Sequence, residues 1–303
     1  HDFVDGERRG AKGFPRFTDA RLRGPDAWAD YARMAAEQSL ERLGLDRFDL
    51  LMLHNPDRNG YHDPRVWEAM SAVKQAGLAD AIGVAPGPAN GFTLDMLACL
   101  ERFGDLLDWA MVILNPMEPW PGEYVLPAAT AADVKVITRV ADYGGLFWDD
   151  VKPGHVFRDF DHRKFRPDGW IERGAERLEQ MRAIGDRHGL TPMQLSCQWN
   201  LAHPAVEMVV PTLIQEAGDD ARPVEDKRAE LAATPREVRL SAEEILELRT
   251  IGDNAGCRAL KGAAPDQAEV LADKWPVDDE LAAAGERWGV DPERDLRHVH
   301  QPA

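Results

Sequence analysis

Apolar and polar positions along this chain keep two rhythms, one helical and one of short continuous runs. Residues 48–53 are apolar apart from Asp49, run into His54 and break at Asn55 and Pro56. That is the pattern of a strand buried on both faces and ending in a loop. Just before it, apolar residues recur at helical spacing over 28–43, with Asp26 placed to cap the helix and Gly44 to stop it. The unit repeats downstream. Pro64 opens a helix through Val66, Trp67, Met70 and Val73 that Gly77 ends, and 81–85 is the next strand. A helix over 93–103, a strand over 109–114 closing at Asn115-Pro116, a helix over 125–132 and a strand over 134–139 follow. The next connection, of about thirty residues, is too long for a simple link and reads as functional or as a lid. Beyond it, 169–188 is a helix ending at Gly189. Thr191, Pro192 and Gln194 form a capped start for another, 206–211 is a fifth strand, and Ser241 with Glu244 caps a helix to about residue 251.

Strands alternating with helices predict a parallel sheet with right-handed crossovers. A buried parallel strand that delivers a histidine at its carboxyl end is where α/β barrels keep their chemistry. Five strands are too few to close an eight-stranded barrel. A doubly wound sheet is the alternative, but no Gly-x-Gly-x-x-Gly follows any strand. Residues 1–27 read as a loop, 28–254 as the strand-and-helix body, and 255–303 as a polar C-terminal extension carrying Trp275 and Trp288 among acids.

The segment Ser39-Leu-Glu-Arg-Leu-Gly-Leu-Asp46 followed by Phe48-Asp-Leu-Leu-Met-Leu-His-Asn-Pro-Asp57 resembles the entry to the fourth barrel strand of the aldo-keto reductases. Val66-Trp67-Glu68-Ala69-Met70, Ala81-Ile82-Gly83-Val84 and Asn115-Pro116 continue the likeness in order. Thr191 to Leu195 with Trp199 and His203-Pro204, then Val209-Val210-Pro211 and Leu240 to Glu244, extend it over roughly 28–252. The resemblance implies a TIM (β/α)8 barrel of aldo-keto reductase type, with this chain supplying the strands from the fourth onward. It further implies an NAD- or NADP-dependent oxidoreductase moving hydride between the cofactor and a carbonyl or sugar-like alcohol. In that family an Asp, a Tyr and a Lys precede this point, so the resemblance places them outside the 303 residues. Lys12 is a stand-in for the lysine only if its polar, turn-forming neighbours form a strand.

Composition narrows the partners. Lys and Arg total 36 against 53 Asp and Glu, a net charge of -17, which repels nucleic acid and anionic membranes. There is no run of eighteen apolar residues and no basic-then-apolar leader. Cys99, Cys197 and Cys257 are few and far apart, which suits a reducing, cytoplasmic compartment; the first two lie in apolar helical patterns and read as core.

Six residues carry the candidate chemistry. The resemblance gives His54 the role of polarising or orienting a carbonyl, which a neutral imidazole performs by donating one hydrogen bond. Arg139 and Tyr143 follow the 134–139 strand, on the rim that His54 shares in a barrel, and Arg139 can hold an anionic or hydroxyl group of a substrate. Asn115, Lys227 and Arg228 are the candidate cofactor contacts. The family's carboxamide-binding Ser-Asn pair falls on Ala85 and Pro86, its glutamine on Met111, and its phosphate-binding arginine on Asp226, so NADP preference does not follow. His54, Asp57, His62 and Asp63 lie within ten residues, but their spacing fits no compact metal motif and no metal is expected. Two further readings stand beside the reductase: a barrel-derived binding or scaffold protein, and a metal-dependent sugar isomerase or hydrolase built on the His54 loop.

Overall fold

The computed structural model of this protein describes residues 16–87, 92–159, 161–218, 221–252 and 277–297. Lys12, Cys257, Trp275, Asp219 and Asp220 lie outside them. In chain order the elements are α1 (Trp28–Leu43), β1 (Phe48–His54), α2 (Arg58–His62), α3 (Pro64–Gln75), β2 (Ala79–Ala85) and α4 (Phe92–Phe103). Then come β3 (Trp109–Ile113), α5 (Leu126–Ala131), β4 (Lys135–Arg139), α6 (Trp170–Arg187), α7 (Pro192–Leu201) and β5 (Val206–Val210). The last three are α8 (Val224–Ala232), α9 (Ala242–Gly252) and α10 (Asp279–Arg287). The strands form one five-stranded sheet in sequential order, β1-β2-β3-β4-β5. β1 pairs β2 in parallel from Phe48 with Ala79 to His54 with Ala85, and β2 pairs β3 in parallel at Gly83 and Val84. Sequential order in a parallel sheet requires a helical crossover at each step, the βα rhythm seen in the sequence.

Local chemistry sets the boundaries. Gly44 ends α1 in the left-handed conformation at φ 66°, which a residue with a Cβ adopts only at a cost. Asp63 caps α3 by accepting from the Arg65 amide, with Pro64 at the first turn. Thr191 and Gln194 make a reciprocal capping box on α7, and Ser241 with Glu244 does the same for α9. Gly83 lets two strands approach: a Cβ there would stand 2.5 Å from the Trp109 carbonyl oxygen.

Three expectations are corrected. Asp26 does not cap α1, because residues 25–27 form a 3-10 turn and the cap position falls on Ala27, with no side-chain hydrogen bond. β1 is not buried on both faces: Leu53 is its one buried residue, since β1 is an end strand of the sheet among the described residues and has a strand neighbour on one side only. The stretch after His54 is not simply a loop but folds into α2, whose Gly60 and Tyr61 are buried.

The described residues divide into two compact units. The first takes those of His1–Met111, Pro127–Val136 and Asp266–Arg297. Its core includes Val66, Trp67, Ile82, Val84, Leu94 and Leu97, all fully buried. The second takes those of Val112–Leu126 and Ile137–Pro265, with Leu114, Phe147, Trp148, Met181, Leu195 and Trp199 in its core. Cys99 and Cys197 are buried free thiols in the first and second unit respectively. Burial pushes the Cys197 thiol up to about 12, so these are packing residues and not nucleophiles.

Candidate active site

In the first unit, β1 delivers His54 to an exposed position at its carboxyl end, opposite Ala85 of β2. The chain turns at Asn55, whose φ of 48° is left-handed, an excursion that asparagine tolerates better than most residues. That turn is tied down on several sides. The Asn55 amide donates to the Ala85 carbonyl at 2.8 Å, and Arg16 Nη1 donates to the Asn55 carbonyl at 2.7 Å. Thr18 donates to Asp57, whose carboxylate also caps α2 through the Gly60 amide at 2.9 Å. The histidine therefore stands on a braced strand end.

His62, eight positions on, is committed elsewhere. Its Nε2 lies 2.7 Å from Oδ1 of Asp95, a carboxylate with no exposed surface in α4. Among the described residues no group of three or more His, Cys, Asp or Glu stands where it could hold a metal.

In the second unit, β4 ends at Arg139, and the turn that follows holds two left-handed residues, Val140 at φ 59° and Tyr143 at φ 46°. A β-branched residue in that region is strained, and such strain concentrates where a fold fixes a functional loop. Several bonds hold the turn. Asp142 accepts the Thr212 amide at 2.8 Å, and burial pushes its carboxyl above the ordinary range. Ser196 Oγ donates to the Ala141 carbonyl at 2.7 Å. Tyr143 is buried edge-on against Trp170 at 5.7 Å. The Arg166 guanidinium lies 4.6 Å over the Tyr143 ring and 3.4 Å from the buried Glu118 carboxylate. The sequence reading missed this Arg166 and Glu118 pair, since residues 48 apart carry no local signal.

The long loop is strapped by Arg163. Its guanidinium meets Asp161 at 2.7 Å, Glu216 at 2.5 and 3.1 Å, and the Gly144 carbonyl at 3.2 Å. Burial acts to lower that group's pKa, and the hydrogen bonds it donates to Asp161 and Glu216 outweigh it, so the pKa is raised.

The three candidate cofactor contacts divide. Asn115 spends its amide inside the fold, Nδ2 donating to the Val140 carbonyl in the turn after β4 at 2.9 Å and Oδ1 accepting the nearby Met117 amide at 3.0 Å. Lys227 differs from a phosphate contact. It is 1 % exposed, forms an ion pair with buried Asp150 and donates to the Ile214 carbonyl at 2.6 Å. Its spacing to Val224 and Leu231 on α8 is the signal that it faces inward. Arg228 is exposed, as is Asp226 beside it. Measured against a nicotinamide dinucleotide, these residues do not fit at the ring end: Ala85 and Pro86 carry no side-chain polar group, and Asn115 is spent.

The aldo/keto reductase family model matches residues 18–217. An aldo-keto reductase of Mycobacterium sp. (strain MCS) is 26% identical over 198 residues, 63% of this chain and 56% of that protein. A D-threo-aldose 1-dehydrogenase of Pseudomonas sp is 28% identical over 185 residues, 59% of this chain and 51% of that protein. The chain thus spans about half the length of these relatives. Among solved structures, the holo form of aldo-keto reductase AKR11C1 from Bacillus halodurans superimposes with a TM-score of 0.51, at 19% identity, over 75% of this chain and 68% of that one. That likeness places the sheet and its helices in the barrel architecture of those enzymes. With the family match covering most of its length, this chain belongs to the aldo/keto reductase family.

Proposed function

We propose that this chain forms part of an oxidoreductase that interconverts a carbonyl and an alcohol on a small, sugar-like substrate. The observation that carries the reading is His54 on its braced strand end in a member of this family. A neutral imidazole there donates a hydrogen bond to the carbonyl oxygen and stabilises the charge that develops on it. Arg139, at the end of β4, and Tyr143, in the turn that follows, would hold a polar group of the substrate, and the sugar class follows the D-threo-aldose 1-dehydrogenase relative. NAD or NADP, if bound, would supply or accept the hydride. Arg228 would meet its phosphates, with Asn115 and Lys227 shaping the surrounding turns. None of the residues assigned here serves as the acid that protonates the alkoxide, so slow turnover is expected.

A non-catalytic binding or scaffold role is the second reading, and the lack of a carboxamide donor at Ala85 and Pro86 favours it. Following NADH absorbance with aldoses and simple aldehydes separates the two. The reductase reading expects turnover by the chain alone far below the roughly 1 to 1000 per second ordinary for enzymes, and lower still in His54→Ala. Equal rates for the two forms would remove His54 from the chemistry, and no turnover at all would favour the scaffold.

A further inference from the structure

Every residue of α4 from Phe92 to Leu100 is buried. A helix on the outside of a sheet shows water one face, so α4 is covered on both sides. The cover is the C-terminal segment 278–297, which lies beyond the family match. α10 buries Leu281, Ala284 and Gly285, and Val290 and Leu296 after it are also buried. The approach is close: a Cβ on Gly285 would meet the Val290 carbonyl oxygen at 2.5 Å and Leu94 at 3.2 Å.

A set of charges fixes where it sits. Arg287 pairs with Glu101 at 2.5 Å, and Trp288 Nε1 donates to the same carboxylate at 2.9 Å. Glu280 pairs with Arg102 of α4 at 3.0 Å and stands 3.7 Å from Nδ1 of His62. Asp278 pairs with Arg58, the first residue of α2. The segment therefore grips both α4 and α2. His62 joins the two helices through Asp95, whose Oδ2 is buried and has no hydrogen-bond partner among the described residues. A buried carboxylate with one bonded oxygen depends on that bond to remain in place.

We propose that residues 278–297 act as an intramolecular strap that locks α2 against α4 through the His62 and Asp95 contact, and so fixes the turn that follows His54. α2 starts four residues after His54, and its cap residue Asp57 is part of that turn. The importance of the turn rests on the function proposed above, whereas the mechanical claim does not.

Amide hydrogen exchange on the full chain tests the strap without reading activity. Asp278→Asn with Glu280→Gln cuts the pairs to Arg58, Arg102 and His62, while the asparagine side chain can still cap α10. The strap expects exchange to quicken at least tenfold in 278–297 and together with it in 58–62 and 92–95, with 28–43 unchanged. Faster exchange confined to 278–297 overturns the proposal, and so does no change anywhere. Leu281→Asp, which puts a charge into the buried face of α10, should give the same pattern more strongly. If it also unprotects 28–43 the fold has failed, and the double variant alone decides. Loss of turnover with an intact strap would count against His54 and not against this inference.

Discussion

At the scale of single residues, identity proved easier to read than role. His54, Arg139 and Lys227 are recognisable in the sequence by type and position, but which way each faces depends on partners far along the chain. Lys227 shows this best: its buried ammonium answers Asp150, 77 positions away, and no local pattern gives that partner. Removing one member of a buried pair leaves the other charge uncompensated, at a cost of about 3–5 kcal/mol, while replacing both with apolar groups is far milder. Lys227→Met should therefore destabilise the chain by that amount in urea unfolding, and Lys227→Met with Asp150→Leu should recover most of it. A single variant no worse than the double would mean the pair carries no such burden. For the candidate catalytic residues the effects should split. His54→Ala should lower kcat, by about a hundredfold if it serves an oxyanion-type contact. Arg139→Ala should chiefly raise KM, because a clamp on a remote group binds ground and transition states alike. Steady-state kinetics on an aldose separate them, and a shared pattern in both variants would contradict the assigned roles.

At the scale of elements, helices with strong caps were legible almost to the residue. α7 begins where Thr191, Pro192 and Gln194 require, and α1 ends at Gly44 as its left-handed conformation demands. What the sequence could not reveal was cover. An apolar run such as Phe48–Leu53 looks the same in a central strand and in an end strand, and only the neighbours decide its burial. α2 was missed because five residues hold too little periodicity to register. The C-terminal helix escaped for the same reason: its buried face is small, Leu281, Ala284 and Gly285, and its attachment is largely electrostatic. That attachment has a pH signature. The Glu101 carboxyl is held below the ordinary range by its bond from Arg287, and Asp278 by the Leu281 amide and by Arg58 and His62. A depressed carboxylate contributes stability that is present above its unfolded value and lost as pH falls through its folded value. Acidification below about pH 4 should therefore loosen residues 278–297 before α1 or α3. Limited pepsin digestion over about pH 2–5 checks the order, and simultaneous cleavage throughout would contradict it.

At the scale of the whole molecule, the open sequential sheet and the family membership agree, and among the described residues no helix is long and apolar enough to cross a membrane. The family resemblance was visible because it rests on short, ordered motifs such as the His54 strand and the α7 start. The cofactor end was harder to read because its contacts come from separate turns whose bonding only the fold reveals. The family resemblance puts Asp226, on α8, where a phosphate-binding arginine is expected, and a carboxylate there would repel a 2′-phosphate. Fluorescence titration of the full chain with NADH and with NADPH therefore tests the account most directly. Saturable binding of NADH at least as tight as that of NADPH, weakened in Arg228→Ala, is the expected result. No binding of either nucleotide, or NADPH more than tenfold tighter, would contradict it.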